Sequence, residues 1–250
     1  MKKILSSLTA CIITIALVSS TTLRAGTNNP VTHATTVAIK ADSSGVEKSE
    51  ELNLTDFVFE KLQLERLGLS KEALEFAFKG YRNLVNKGAL KNPDIITICD
   101  FSQSSTSKRL YVIDLKNYEL LLNTYVAHGK NSGLDYADKF SNNQDSHESS
   151  LGFYVTENTY VGGHGLSLRL NGLDVGFNDN ALERAIVVHG SAYVGDSRKN
   201  SGSFMGRSYG CPAVPQKQVK KLINSIKNGS CLFIYHPSKN YINKSTILNG

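Results

Sequence analysis

"NPDIITICDFSQSSTSKRLYVIDLKNYELLLNTYVAHG", residues Asn92 to Gly129, is the stretch in which the chain changes its period. Before Asn92-Pro93 apolar residues recur at spacings of three and four, and after it they gather in short runs rich in β-branched and aromatic side chains. "IITIC", "RLYVIDL" and "ELLLNTYVAHG" are the first three such runs, and "LGFYVT", "LSLRL" and "RAIVVHG" follow, with Gly, Asn and Ser turns between them. Runs this short with such turns predict strands, and many short strands predict a mainly β core, a barrel or a sandwich. One further helix is expected, "QKQVKKLINSIKNG", ahead of the last strand "CLFIYH". No strand and helix alternation of the dinucleotide-binding kind and no phosphate loop occurs, which argues against a nucleotide partner. There is no internal repeat.

Upstream, Ser70 followed by "KEALEFAFKGYRNLVNKG" predicts a helix capped by Ser70 and stopped near Gly88, with Leu74, Phe78, Tyr81 and Val85 on one stripe. Residues 51–92 are therefore expected to form a helical appendage that packs on a catalytic domain over residues 93–250. Residues 26–50 are Thr, Ser, Asn and Ala with almost no large apolar side chain, and are expected to be a disordered tether. Residues 1–25 carry Lys2 and Lys3 followed by an uncharged run from Ile4 to Val18, the pattern of a cleaved export signal. Leu8-Thr9-Ala10-Cys11 has the form of a lipoprotein cleavage box, but the apolar run continues past it. An uncleaved leader is the alternative, since no charge returns before Arg24, and it would add a membrane contact. On either reading the chain is exported, to the periplasm or cell envelope.

The formal charge of +6 is local, because Pro215 to Gly250 hold six lysines and no acid. The ordinary explanation is a solvated helix face. No basic stripe interleaved with aromatics is present, which argues against nucleic acid. With the leader removed, three of the four cysteines remain, so at least one thiol is free or pairs between chains. Cys99 and Cys231 lie in apolar runs and read as buried and inert, with a disulfide as the alternative.

Cys211 differs, standing in "GRSYGCPAVP" between a glycine and a proline. A cysteine becomes a nucleophile when a neighbour lowers its pKa or takes its proton, and the usual agent is a histidine. His189 ends the run "RAIVVHG" some twenty residues earlier, and a strand followed by a Gly- and Ser-rich excursion can bring the thiol back beside it. Gly210 would permit a tight turn with backbone N–H groups aimed at an oxyanion, Ser208 could bond within that turn, and a carbonyl near Gly190 could fix the histidine tautomer. On spacing alone a Cys and His pair is more often structural. Arg207, Arg184 and Arg169 are candidates to hold a carboxylate, Tyr209 to line the pocket, and His164 and His128 to lie near the cleft, each against an ordinary surface or packing role.

The stretches "VVHG" and "SYGCPAV" resemble the signature of murein L,D-transpeptidases, as do "DFSQSSTSKRLYVIDL", "VAHGKNSG", "YVGGHGLSLRLNGL" and "GRSYGCPAVP" read together. The resemblance makes Cys211 the nucleophile, His189 the base, Gly210 the turn glycine and Ser208 the leading serine of the motif. It departs from the family where Tyr209 replaces a second histidine and where Pro212-Ala213 stand in place of an apolar residue and an Arg or Asn. It implies acyl transfer on peptidoglycan stem peptides: a thioester forms at the L-centre of a diacid residue, D-alanine leaves, and an amine or water takes the acyl group. No metal or organic cofactor is implied. Two alternatives come from other classes. A zinc-dependent D-alanyl peptidase would use the His-Gly pairs, but no local ligand motif supports it. A wall-binding module without chemistry would have no use for Cys211 and His189 together.

Overall fold

The structure, a computed structural model, describes residues 54–250. The expected leader and tether over residues 1–50 lie outside the described residues. The described residues open with a helix α1 over residues 54–61 and a single 3-10 turn, Leu64–Leu67, then helix α2, Lys71–Asn86. Ser70 caps α2 as expected, its Oγ accepting from the Ala73 N–H at 3.1 Å, and Gly88 follows the helix in the left-handed region at φ 64°. The buried face is Ala73, Leu74, Ala77, Phe78, Gly80 and Leu84, so the expected stripe is one residue out of phase at its end, with Val85 exposed and Leu84 inside.

Eight strands follow in one sheet: β1 Ile95–Asp100, β2 Leu110–Asp114, β3 Glu119–Thr124, β4 Gly152–Gly162, β5 Gly165–Gly172, β6 Val187–Ser191, β7 Ala213–Pro215 and β8 Cys231–Tyr235. Their order is β3-β2-β1-β8-β4-β5-β6-β7, with β1·β8 and β6·β7 parallel and the other pairs antiparallel. The two edges then meet. Past Thr124 the chain leaves β3 and runs beside β7, where the Ala127 N–H donates to the Ala213 carbonyl at 2.8 Å and the Lys130 N–H to the Ser208 carbonyl at 2.7 Å. The sheet is thus a nearly closed barrel, which removes most of its free edge. "ELLLNTYVAHG" is accordingly two elements, β3 and this closing segment.

Between β6 and β7 the polar loop carries one short helix, α3 Asp196–Asn200. Helix α4, Val219–Ile226, buries Val219, Leu222, Ile223 and Ile226 against the barrel. Two short helices follow β8, α5 Lys239–Lys244 and α6 Thr246–Asn249, where the sequence had marked no helix. One continuous apolar core joins α2, the strands, α4 and α6, with Phe153 stacked on Phe233 at 4.1 Å in its middle. The α2 helix therefore shares the barrel's own core, because its buried face meets β1 and β8. Cys99 and Cys231 are buried and unpaired on β1 and β8.

Candidate active site

Strand β6 delivers His189 and the turn before β7 delivers Cys211. The parallel register pairs His189 with Ala213, two residues past Cys211. Cys211 Sγ lies 3.5 Å from the Val187 nitrogen, two residues before His189 on β6, so the thiol and the imidazole are brought to one stretch of the sheet. The His189 ring is buried, and its Nδ1 bonds to the Gly190 carbonyl at 3.0 Å. That contact puts the proton on Nδ1 and leaves the Nε2 lone pair free. A Cβ at Gly190 would crowd Gln216 Oε1 at 2.6 Å and Val219 Cγ1 at 2.9 Å. His164, exposed in the turn between β4 and β5, stacks on His189 with ring centroids 4.3 Å apart.

Cys211 is half-buried. Its Sγ receives the Val187 N–H at 3.5 Å and points its own hydrogen at the Ala185 carbonyl at 3.7 Å, so at rest it bonds to the start of β6 and the residue two before it and not to His189. Burial pushes the thiol above its ordinary value of 9.0, against the Val187 N–H and the charge of Arg184. Burial also holds His189 below its ordinary 6.5, with the Gly190 carbonyl opposing and His164 assisting. Both groups are neutral at pH 7.

The turn that presents the thiol is built by Ser208 and Gly210. Ser208 Oγ accepts from the Gly210 N–H at 3.1 Å and donates to the Cys211 carbonyl at 2.5 Å. Gly210 sits at φ 117°, and a Cβ there would meet the Glu148 carbonyl at 2.7 Å. Ser208 thus occupies the Gly210 N–H, which the sequence had offered to an oxyanion. The Cys211 N–H faces its own thiol, where it favours the thiolate, and it stands with the Tyr209 N–H as a donor beside the sulfur.

The substrate-side candidates divide. Arg207 is half-buried, its Nη1 donating to the Gly133 carbonyl at 2.6 Å and its guanidinium 4.8 Å from the Phe204 ring centroid, so it is tied into the wall. Tyr209 is 67% exposed and lies at the mouth. Arg169 stacks on Tyr160 at 4.4 Å. His128 is wholly buried, its Nδ1 accepting from Arg109 at 2.7 Å, so it supports the site from inside.

Four contributors were not legible in the sequence as parts of the turn. Arg184, weighed only as a carboxylate holder, binds the Ser141 and Glu148 carbonyls at 2.8 Å each, Ser146 Oγ at 3.0 Å and Ser150 Oγ, fixing the 141–150 segment under Gly210. Tyr193 packs its ring where a Cβ on Gly206 would meet it at 2.4 Å, and the nearby Cys211 helps burial raise its pKa. Lys130 and His147 flank Tyr209. No local pattern announces these residues, because their segments are far apart in the chain. Among the described residues no group of three His, Cys, Asp or Glu is placed to hold a metal ion.

A family model described as the L,D-transpeptidase catalytic domain matches residues 65–235. A search of curated proteins gave no match. Among solved structures, an L,D-transpeptidase from Mycobacterium smegmatis is 12% identical, over 57% of this chain and 59% of that one, with a TM-score of 0.35. The helical cell shape determining protein Pgp2 from Campylobacter jejuni is 13% identical, over 58% and 48%, at 0.40. An L,D-transpeptidase from Stackebrandtia nassauensis is 12% identical, over 67% and 68%, at 0.36. The chain spans less than two thirds of the length of the first two. On the family match, which takes in both His189 and Cys211, the chain belongs to the L,D-transpeptidase catalytic domain family.

Proposed function

We propose that the chain is an exported cysteine acyltransferase that acts on peptidoglycan stem peptides, with Cys211 as nucleophile and His189 as base. The observation that carries this reading is the β6·β7 register, which sets a cysteine beside a buried histidine whose Nδ1 is committed to Gly190. As donor peptide enters, the thiol turns from the Ala185 carbonyl toward His189, and Nε2 takes its proton. Sulfur bonds to the carbonyl carbon at the L-centre of the diacid residue, and the Tyr209 and Cys211 N–H groups donate to the oxyanion. The carbon–nitrogen bond to D-alanine breaks, and the leaving amine takes the proton from His189. A thioester remains. An acceptor amine, or water, attacks it, gives its proton to His189, and the thiolate leaves and is reprotonated. All the groups used are side chains or backbone of this chain, so the cycle draws on no cofactor. The leader-like residues 1–25 support action outside the cytoplasm, in the periplasm or cell envelope.

The test is intact mass of the purified protein mixed with a stem tetrapeptide and quenched in acid. The expected result is a tripeptidyl adduct on Cys211, released D-alanine, and neither product with Cys211→Ala. Turnover by Cys211→Ala would defeat the assignment.

A further inference from the structure

Three cations stand around the turn that presents Cys211, and two of them are hydrogen-bonded to the protein itself. Arg184 spends its guanidinium on two carbonyls and two serine hydroxyls of the 141–150 segment, and Arg207 bonds to Gly133 and stacks on Phe204. The third is Lys130. Its ammonium sits 4.2 Å from the centroid of the Tyr209 ring, and no carboxylate pairs with it among the described residues. An aromatic face attracts an ammonium without using up its three N–H donors, so Lys130 keeps them for a ligand.

The platform beneath it is prebuilt. The backbone of Lys130 is bonded to Ser208, Asn131 N–H donates to the His147 carbonyl at 3.2 Å, and Gly129 N–H to Ser149 Oγ at 3.0 Å. His147, held at φ 54°, stacks on Tyr209 with centroids 4.3 Å apart. Tyr209 is two residues from the nucleophile, and Pro212-Ala213 beyond it supply no cation. A peptide bound for attack at its last bond carries its terminal carboxylate one residue past the carbonyl under attack, about 4 Å along the chain.

We propose that Lys130, held over Tyr209, is the specificity-determining residue that recognises the terminal carboxylate of the acyl donor. The inference rests on the proposed function for its substrate class and adds which group on the protein selects it. The experiment compares a stem tetrapeptide with its C-terminal carboxamide. Calorimetric binding is measured on Cys211→Ala alone and combined with Lys130→Met or Lys130→Arg. The lysine protein is expected to bind the acid about tenfold more tightly than the amide, Lys130→Met to lose that preference with the amide unaffected, and Lys130→Arg to keep most of it. Equal affinity for acid and amide in the lysine protein, equal loss of both in Lys130→Met, or no binding of either peptide would overturn the proposal. A protein that binds the acid selectively yet forms no thioester in the intact-mass assay would instead overturn the acyltransferase reading and leave Lys130 standing.

Discussion

The thiol of Cys211 gives up its proton less readily than a free cysteine, because burial opposes the thiolate more than Val187 N–H and Arg184 favour it. A thiolate and imidazolium pair, stable at rest, is therefore not the starting state; the neutral pair is, and in the proposed reaction proton transfer belongs to the chemical step itself. This has a kinetic signature. Alkylation of Cys211 by iodoacetamide should rise about tenfold per pH unit from about pH 7 to 8.5, since only the thiolate reacts. A flat profile across that range would establish a resting ion pair. Cys99 and Cys231 are buried, with Cys99 pushed up to about 12, so a single adduct is expected. In the proposed reaction, transfer follows His189. A base works when deprotonated, and its pKa lies below the ordinary 6.5, so the acid limb of kcat/KM should fall below 6.5. His164→Ala opens the ring to water and removes a repelling charge, which raises that pKa and moves the limb upward. A pH profile of His164→Ala with an unmoved limb would show that the stacking has no hold on the base. His189 and Cys211 were legible as candidates because their types and neighbours are local in the chain. Their resting charge states were not, because burial is a property of the closed barrel.

Among the elements, α2 was the most legible, since its Ser70 cap and apolar stripe are both written within one short segment. What it packs against was not. Gly80 faces the ring of Phe153, and a Cβ at that position would lie 2.0 Å from Phe153 Cζ. Phe153 is itself stacked on Phe233 and cannot retreat freely. Two effects oppose each other in Gly80→Ala. Helix propensity favours alanine by about 1 kcal/mol, while overpacking a filled core costs about 1–3 kcal/mol. The contact is deep enough that the clash should win, with a lower denaturant midpoint and an unchanged m-value. A stabilised Gly80→Ala would mean that α2 rides loosely on the barrel. Strand β7 was missed for the opposite reason: three residues ending in Pro215 have no periodicity, and β6 and the closing segment make it a strand.

At the scale of the whole molecule, the barrel closes where the site is built, and a buried arginine holds the closure. The alternation of β-branched runs foretold a β barrel or sandwich, but not this, since an arginine at the head of "RLYVIDL" reads as surface. Arg109 is wholly buried, bonded to the Val126 carbonyl at 3.0 and 3.1 Å, the Gln103 carbonyl at 2.7 Å and His128 Nδ1 at 2.7 Å, with Phe101 stacked beneath at 4.6 Å. Burial lowers its pKa to about 10, so it stays charged at neutral pH. Burial and the Arg109 charge push His128 down to about 4, so that ring is neutral and can accept. The His128 carbonyl in turn accepts from the Ser208 N–H at 3.0 Å, and Ser208 holds the Cys211 turn. A chain of contacts thus runs from a core guanidinium to Cys211, the proposed nucleophile. In Arg109→Met the side chain still fills much of the space, but two carbonyls and an imidazole lose their donor, each at about 1–3 kcal/mol, offset by the charge no longer desolvated. The expected net loss is about 2–4 kcal/mol, or roughly 5–15 °C in Tm for a chain of this size. Acyl transfer should fall further than the folded fraction does, because the closing segment no longer anchors Ser208. Calorimetry alongside thioester formation by the still-folded protein separates the two. Full activity per folded molecule in Arg109→Met would show that the turn carrying Cys211 is held without the closure.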